Sequence, residues 1–249
     1  MPKTFCASAL FWERWRCYFN KREMMSKIKP SFVLIDLDGT LVDSVPDLTY
    51  CVDETMKAIG YPERGEAAVR NWVGNGVQRL VERALINAID GMPDAKVFDE
   101  AYPIFLKLYA ENNAKHSCVY EGVVAGIEWM QAQGYRMACV TNKAEAFTMP
   151  LLERKGLLPY FEVVVSGDTC EKKKPDPMPL LHAAELMGVD AENALMIGDS
   201  KSDVKAARAA GFHIFCMTYG YNHGEDIRDY NPDVIMDSFV ELSQHLEAK

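Results

Sequence analysis

Two aspartates one residue apart, Asp36 and Asp38, stand in the segment Asp36-Leu37-Asp38-Gly39-Thr40-Leu41-Val42-Asp43, directly after the apolar run Phe32-Val33-Leu34-Ile35. An unbroken apolar run of this length suits a strand buried on both faces. The aspartates therefore lie at its carboxyl end, where ligands bind in open α/β sheets. Two carboxylates there are costly to desolvate. A divalent cation offsets that cost, and hard oxygen ligands with few protein contacts suit Mg²⁺. Gly39 allows the backbone to turn away sharply. Taken alone, the segment also fits a strand end followed by an acidic turn.

Two more strand ends carry related chemistry. Met137–Val140 runs into Thr141-Asn142, and Ala194–Ile197 runs into Gly198-Asp199-Ser200-Lys201-Ser202-Asp203. Thr141 offers a hydroxyl and backbone donors to phosphoryl oxygens, while Asp199 and Asp203 add carboxylates that bind a metal or orient its ligands. Singly, Thr141-Asn142 reads as a helix cap and Asp203 as a first-turn acid; those readings do not account for the convergence. A cation completes the set. Lys172, Lys173 and Lys174 precede Pro175-Asp176-Pro177, and Lys174, abutting the turn stiffened by proline, is expected to point inward. Lys172 and Lys173 are expected to be solvated. A positive charge beside a transferring phosphoryl group offsets the crowding of phosphate and acids.

The elements that must position these residues alternate. Further apolar runs at Val163–Val165 and His213–Met217 are separated by helical patterns that finish at Gly156, Gly188 and Gly211, each a helix-stop signal. The expected fold is α/β: a doubly wound parallel sheet, a Rossmann-like core, with an inserted all-helical cap subdomain. The cap is expected over residues 46–116, because the stretch between the first two strands reads as helices only. Leu48, Val52, Met56 and Ile59 give one apolar face; Val77, Leu80, Val81, Ala84 and Leu85 a second; Phe98, Ala101, Phe105 and Tyr109 a third. Three such helices pack as a small bundle. The core is then 26–45 and 117–249, with hinges near Asp43–Pro46 and His116–Gly122.

Composition limits the partners. The chain has 249 residues and a net charge of −9, which repels nucleic acid and anionic membrane alike. A small anionic substrate would need a local positive pocket. The seven cysteines (Cys6, Cys17, Cys51, Cys118, Cys139, Cys170, Cys216) are scattered and form no CxxC pair, so reduced thiols in a cytoplasmic protein are expected. No apolar run approaches the roughly 20 residues of a membrane span. Near the start, Glu13, Arg14 and Arg16 interrupt the apolar patch Cys6–Trp12, so export is not expected. Residues 1–25 read as an N-terminal extension, although Phe11, Trp12, Trp15 and Phe19 would share one helical face.

In order and spacing, the DxDGT segment, the Thr141 strand end, the Lys174-Pro175 lysine and the Gly198–Asp203 cluster resemble the four motifs of the haloacid dehalogenase superfamily. The likeness runs from about Phe32 to about Ser238. Within that superfamily, Val69–Leu85, Thr141–Lys143 with the following Pro150–Glu153, Lys174–Pro177 and Tyr219–Ile227 resemble bacterial phosphoglycolate phosphatases. The resemblance implies that Asp36 is a nucleophile and that Asp38 protonates the leaving oxygen and then activates water. It also implies Mg²⁺ held by Asp36, the Asp38 carbonyl and Asp199 with Asp203 in support, and phosphoryl oxygens gripped by Thr141, Asn142 and Lys174. Gly74, Asn75 and Gly76 would form a cap loop facing the site, and 2-phosphoglycolate would be the substrate. Glu121 stands where the family places a proline, which questions the stiffness of the hinge.

Asp38 disfavours dehalogenase and phosphonatase chemistry, since those relatives lack a carboxylate there. A sugar phosphomutase such as β-phosphoglucomutase keeps all four motifs and differs by excluding water. A non-catalytic binding protein on the same fold would be expected to have lost a chemical residue, and none is lost. The five histidines (His116, His182, His213, His223, His245) show no metal-like spacing; only His223, after a strand, is placed to border the site. Arg79 and Arg83 read as solvated charges on a helix, with reception of a substrate carboxylate as the rival role.

Overall fold

Phe32–Ile35 forms strand β1 with all four side chains buried. Successive side chains of a strand point to opposite faces, and each face meets its own core. Val33 and Ile35 pack with Met137, Cys139 and Ile197 on one side, while Phe32 and Leu34 pack with Ala138, Val140 and Met196 on the other. This double burial is why the run shows no polar alternation. The computed structural model describes residues 27–248; the expectations for residues 1–25, including the Phe11–Phe19 face and Cys6 and Cys17, lie outside them.

Strand β1 pairs on one side with β4 (Arg136–Val140) and on the other with β6 (Leu195–Gly198). Beyond β4 lies β5 (Val163–Val165); beyond β6 lie β7 (His213–Met217) and β8 (Val234–Met236). The six-stranded sheet has the order β5-β4-β1-β6-β7-β8 and is parallel throughout. The chain runs outward from β1 in both directions, so the carboxyl ends of β1, β4 and β6 flank the point where strand order reverses. All three acidic or hydroxyl-bearing strand ends meet there. Helices α5 (Val123–Ala132), α6 (Glu145–Arg154), α7 (Met178–Met187) and α8 (Lys201–Ala210) cover the sheet. Gly188 and Gly211 are the left-handed C-caps of α7 and α8, as a helix-terminating glycine should be.

Between β1 and β4 the chain folds into helices α1 (Val45–Ala58), α2 (Glu66–Trp72), α3 (Val77–Ile86) and α4 (Ala95–Asn112). They share a separate core that includes Leu48, Met56, Trp72, Leu80, Phe105 and Tyr109. The three apolar faces read from the sequence belong to α1, α3 and α4. The additional helix, α2, has seven residues and only Val69 and Trp72 buried, too little for a periodic signal. The segments leading into and out of this helical insertion pair with each other: β2 (Val42–Asp43) lies antiparallel to β3 (Cys118–Val119). Among the described residues no helix is long and apolar enough to cross a membrane, and the five described cysteines are free thiols.

Asp47 fixes this double linker. Its carboxylate is fully buried and accepts hydrogen bonds from the His116 N–H at 2.6 Å, the Ser117 N–H at 3.0 Å and the Ser117 hydroxyl. Removing a buried acceptor strands its donors without water, which costs more than the bonds themselves contribute. Asp47→Ala is expected to lower stability by roughly 3 kcal/mol, read as a shift of the urea midpoint at unchanged m-value. A shift within the scatter of surface substitutions would contradict the assigned role.

Candidate active site

Asp36 is the first residue past β1. Its N–H still donates to the Ile197 carbonyl at 2.9 Å, so the backbone stays in sheet register while the side chain leaves it. Oδ1 accepts from the Leu37 N–H at 2.8 Å and from Lys174 Nζ at 2.9 Å. Oδ2 has no hydrogen-bond partner among the described residues, which leaves one oxygen of a fixed carboxylate open. Burial pushes the Asp36 carboxyl up to about 7; the Lys174 ammonium opposes that shift and the Asp203 charge adds to it.

Asp199 is held from both sides. Oδ1 accepts from the Thr40 hydroxyl at 2.7 Å and Oδ2 from the Tyr221 N–H at 2.6 Å. The fit depends on two glycines: a Cβ on Gly39 would stand 2.3 Å from Asp199 Oδ2, and one on Gly220 would stand 2.2 Å from the Asp199 Cβ. Gly39 also has φ +86°, a conformation that side chains other than glycine's resist. Burial, then the charges of Asp203 and Asp36, hold the Asp199 carboxyl well above the usual carboxylate range.

Asp203 is differently employed. Its Oδ1 accepts from Lys174 Nζ at 2.7 Å; its Oδ2 accepts from the Ser200 hydroxyl at 2.7 Å and from the Ser200 and Asp199 N–H groups at 3.1 and 3.3 Å. One oxygen from each of Asp36, Asp199 and Asp203 lies within 4.8 Å of the others, a hard-oxygen donor set that fits a small divalent cation. Asp199 and Asp203 each have both oxygens hydrogen-bonded, and Asp36, with its open Oδ2, is the best placed of the three to face an ion. Asp203 holds Lys174 and the turn before α8. Lys174 spends its three N–H groups on Asp36, Asp203 and the Val140 carbonyl at 2.7 Å.

The β4 end supplies the opposite wall. The Thr141 N–H donates to Val165 O at 2.9 Å, and the Thr141 hydroxyl accepts from the Lys143 N–H at 3.2 Å. The Asn142 side chain donates to the carbonyls of Lys174 at 2.9 Å and Gly74 at 3.3 Å and accepts from the Lys174 N–H at 3.0 Å. That side chain has no donor left for a phosphoryl oxygen. Asp38 faces the same cleft, with Lys143 Nζ 3.2 Å from each carboxylate oxygen.

The model of a family described as haloacid dehalogenase-like hydrolase matches residues 33–217, the stretch that contains Asp36, Asp38, Thr141, Asn142, Lys143, Lys174, Asp199 and Asp203. This chain belongs to the haloacid dehalogenase-like hydrolases. A Nitrosococcus oceani relative named phosphoglycolate phosphatase is 57% identical over 218 residues, 88% of this chain and 97% of its own. A Pseudomonas aeruginosa relative named phosphoglycolate phosphatase 1 is 44% identical, covering 86% of this chain and 78% of its own. Among solved structures, one described as a predicted phosphoglycolate phosphatase from Haemophilus somnus 129PT superposes with a TM-score of 0.80 at 32% identity, covering 88% of this chain and 97% of that one.

In this hydrolase the helical insertion reaches the cleft through Gly74 and Gly76, which line it together with Val73, Val77 and Leu80. Asn75 turns instead into the neighbouring pocket beside Gln78 and Arg79. Lys173, expected in solvent, does lie exposed, but its Nζ comes within 3.4 Å of where a Cβ on Gly76 would be; Lys172 pairs with Asp176 at 3.1 Å. Arg79 and Arg83 serve the insertion itself. Arg79 bonds Glu82 and the Gly91 and Ile89 carbonyls, and Arg83 bonds the Ile89 and Trp72 carbonyls. His223 donates from Nδ1 to the Asn71 carbonyl at 2.9 Å, and its ring packs against Gly74. Sequence reasoning missed Lys143, Tyr109 and Tyr221 as site residues. In the sequence Lys143 is marked only by the family resemblance and Tyr109 only by an apolar helical face.

The raised carboxyls set a pH dependence. A carboxyl shifted from its ordinary 3.8 to about 7 keeps its proton in the fold where the unfolded chain has lost it. Its contribution to stability is therefore complete at low pH and lost as pH rises toward 7. Protein treated with a chelator is expected to show a falling thermal midpoint from pH 5 to pH 8, with the increase on adding Mg²⁺ largest at pH 8. An increase that is equal or greater at pH 5 would contradict the burial of these acids.

Proposed function

We propose that the protein is a Mg²⁺-dependent phosphomonoester hydrolase that works through a phosphoryl-aspartate on Asp36, with 2-phosphoglycolate as substrate. The observation that carries the chemistry is the open Oδ2 of an Asp36 otherwise fixed by Lys174 and the Leu37 N–H, with Asp38 on the same cleft. The substrate assignment is supported by relatives of that name, one of them 57% identical along 97% of its length.

In this reading Asp36 attacks phosphorus, and the bond to the leaving oxygen breaks as Asp38 delivers a proton to it. Lys174 offsets charge on Asp36, and Thr141 offers its hydroxyl to a phosphoryl oxygen. Asp38 then takes a proton from water, which attacks the phosphoryl-aspartate, releases inorganic phosphate and restores Asp36. Splitting one difficult displacement into two is the advantage of the covalent route. Bound at Asp36, the Asp38 carbonyl and Asp199, Mg²⁺ would supply charge neutralisation and alignment of the phosphoryl group. The helical insertion, residues 46–116, is assigned as a cap over a core of 26–45 and 117–249, shielding the cleft through its Gly74–Gly76 loop.

Asp36→Asn changes almost no volume and removes the nucleophile. It is expected to cut phosphate release by about four orders of magnitude or more while the far-UV spectrum and thermal midpoint show a folded protein. Near wild-type turnover would end the covalent mechanism. On a panel of 2-phosphoglycolate, β-glucose 1-phosphate, a nucleoside monophosphate and pyrophosphate, kcat/KM is expected to be highest for 2-phosphoglycolate. Preference for another member would overturn the substrate and keep the chemistry, whereas no release from any would point to a mutase.

A further inference from the structure

We infer that Lys143 is the specificity-determining residue of this site, receiving a carboxylate that the substrate carries next to its phosphate. This rests on the proposed phosphatase reading and names the substrate class, a small phosphorylated hydroxy acid. The argument begins with how two buried lysines are used. Lys174 and Lys143 are both almost wholly buried, yet they differ in what holds them. All three N–H groups of Lys174 are taken by Asp36, Asp203 and the Val140 carbonyl. Lys143 Nζ meets only the Asp38 carboxylate and the Tyr109 hydroxyl among the described residues. An ammonium has three donors and no acceptor; two of the three bonds of Lys143 are spread at 3.2 Å over the oxygens of a single carboxylate, in a side chain that lines the cleft with Asp36 and Asp38, so an incoming carboxylate can share that ammonium.

The competing cations are spent or elsewhere. Arg79 and Arg83 are engaged within the insertion, Arg70 pairs with Asp43 and Glu66, and Lys173 borders the neighbouring pocket rather than this cleft. The remaining lining is the glycines, Leu48, Val73, Val77 and Leu80, which suit a one- or two-carbon skeleton, together with the uncharged Thr141 and Asn142, so Lys143 is the one cation among the described lining residues. A carboxylate entering beside the phosphoryl group therefore has Lys143 as its partner. Tyr109, from helix α4, holds that ammonium from the side of the insertion, so recognition of the carboxylate and packing of the insertion share one contact.

The test compares two ligands that differ only in the second anion. Calorimetric binding of 3-phosphonopropionate and of propylphosphonate to the Mg²⁺-loaded full chain is measured for wild type, Lys143→Met, Lys143→Arg and Tyr109→Phe. Wild type is expected to favour the carboxylated ligand by roughly 10- to 100-fold. Lys143→Met should lose that preference, Lys143→Arg should recover part of it, and Tyr109→Phe should retain the larger share because the charge remains. Equal weakening of both ligands in Lys143→Met would mean that the lysine only positions Asp38 or grips the phosphoryl group, and would overturn the inference. So would a wild type that does not distinguish the two ligands. Wild-type turnover of the substrate panel decides the parent reading separately, since it uses no Lys143 variant.

Discussion

The Lys174 ammonium is where three buried groups from three elements meet: Asp36 after β1, Asp203 in the first turn of α8, and the carbonyl of Val140 at the end of β4. Three carboxylates lie close together here against one such cation. Their burial would be prohibitive unpaired, and that burial, with the neighbouring acid charges adding to it, holds the Asp36 and Asp199 carboxyls above their ordinary range. A site in this condition is incomplete electrostatically. An acidic cluster of this kind fits a divalent cation, and Lys174 supplies the positive charge already in place between Asp36 and Asp203.

Sheet topology is what allows one side chain to reach all three. With β1 flanked by β4 and β6, the strand ends that carry Asp36, Thr141 and Asp199 are neighbours, although they are far apart in the chain. Lys174 arrives from the β5–α7 connection and is held at its backbone as well as at its tip, because Asn142 bonds both its N–H and its carbonyl. The same Asn142 amide bonds the carbonyl of Gly74. The core lysine and the insertion loop thus hang from one side chain, which explains why an asparagine follows Thr141 better than direct phosphate contact does.

The sheet and its acids were legible because the signals that mark them are local. Apolar runs mark β1, β4, β5, β6 and β7 in the sequence, and the chemistry begins where each central run stops. The segments that escaped are short: β2 and β3 at two residues each and α2 at seven carry no period, and β8 has three residues on the sheet edge, no longer than β5. Lys143 escaped for another reason. A lysine after Thr141-Asn142 looks like any first-turn residue, and only the tertiary contacts with Asp38 and Tyr109 set it apart. Asp203 and Asn142 show the limit from the other side: their identities were informative, but which groups consume their oxygens and amide protons is a property of the assembled site.

The absence of a proline at Glu121 bears on how the insertion is held. Stiffness of the linker comes from contacts that no single position would reveal. The β2–β3 pair joins its two strands, Asp47 ties α1 to His116 and Ser117, and the loop after β7 clasps both. In that loop the Tyr221 N–H donates to Asp199, while its hydroxyl bonds Asp43 and accepts from the Ser44 N–H at 3.0 Å. Arg70 of α2 sits 5.4 Å over the Tyr221 ring, and His223 bonds the carbonyl of Asn71. One of the two residues that fix Asp199, Tyr221, therefore also fixes the linker and α2. A displacement of α2 relative to the sheet would pull on Tyr221, one of the two groups that hold Asp199, the other being the Thr40 hydroxyl.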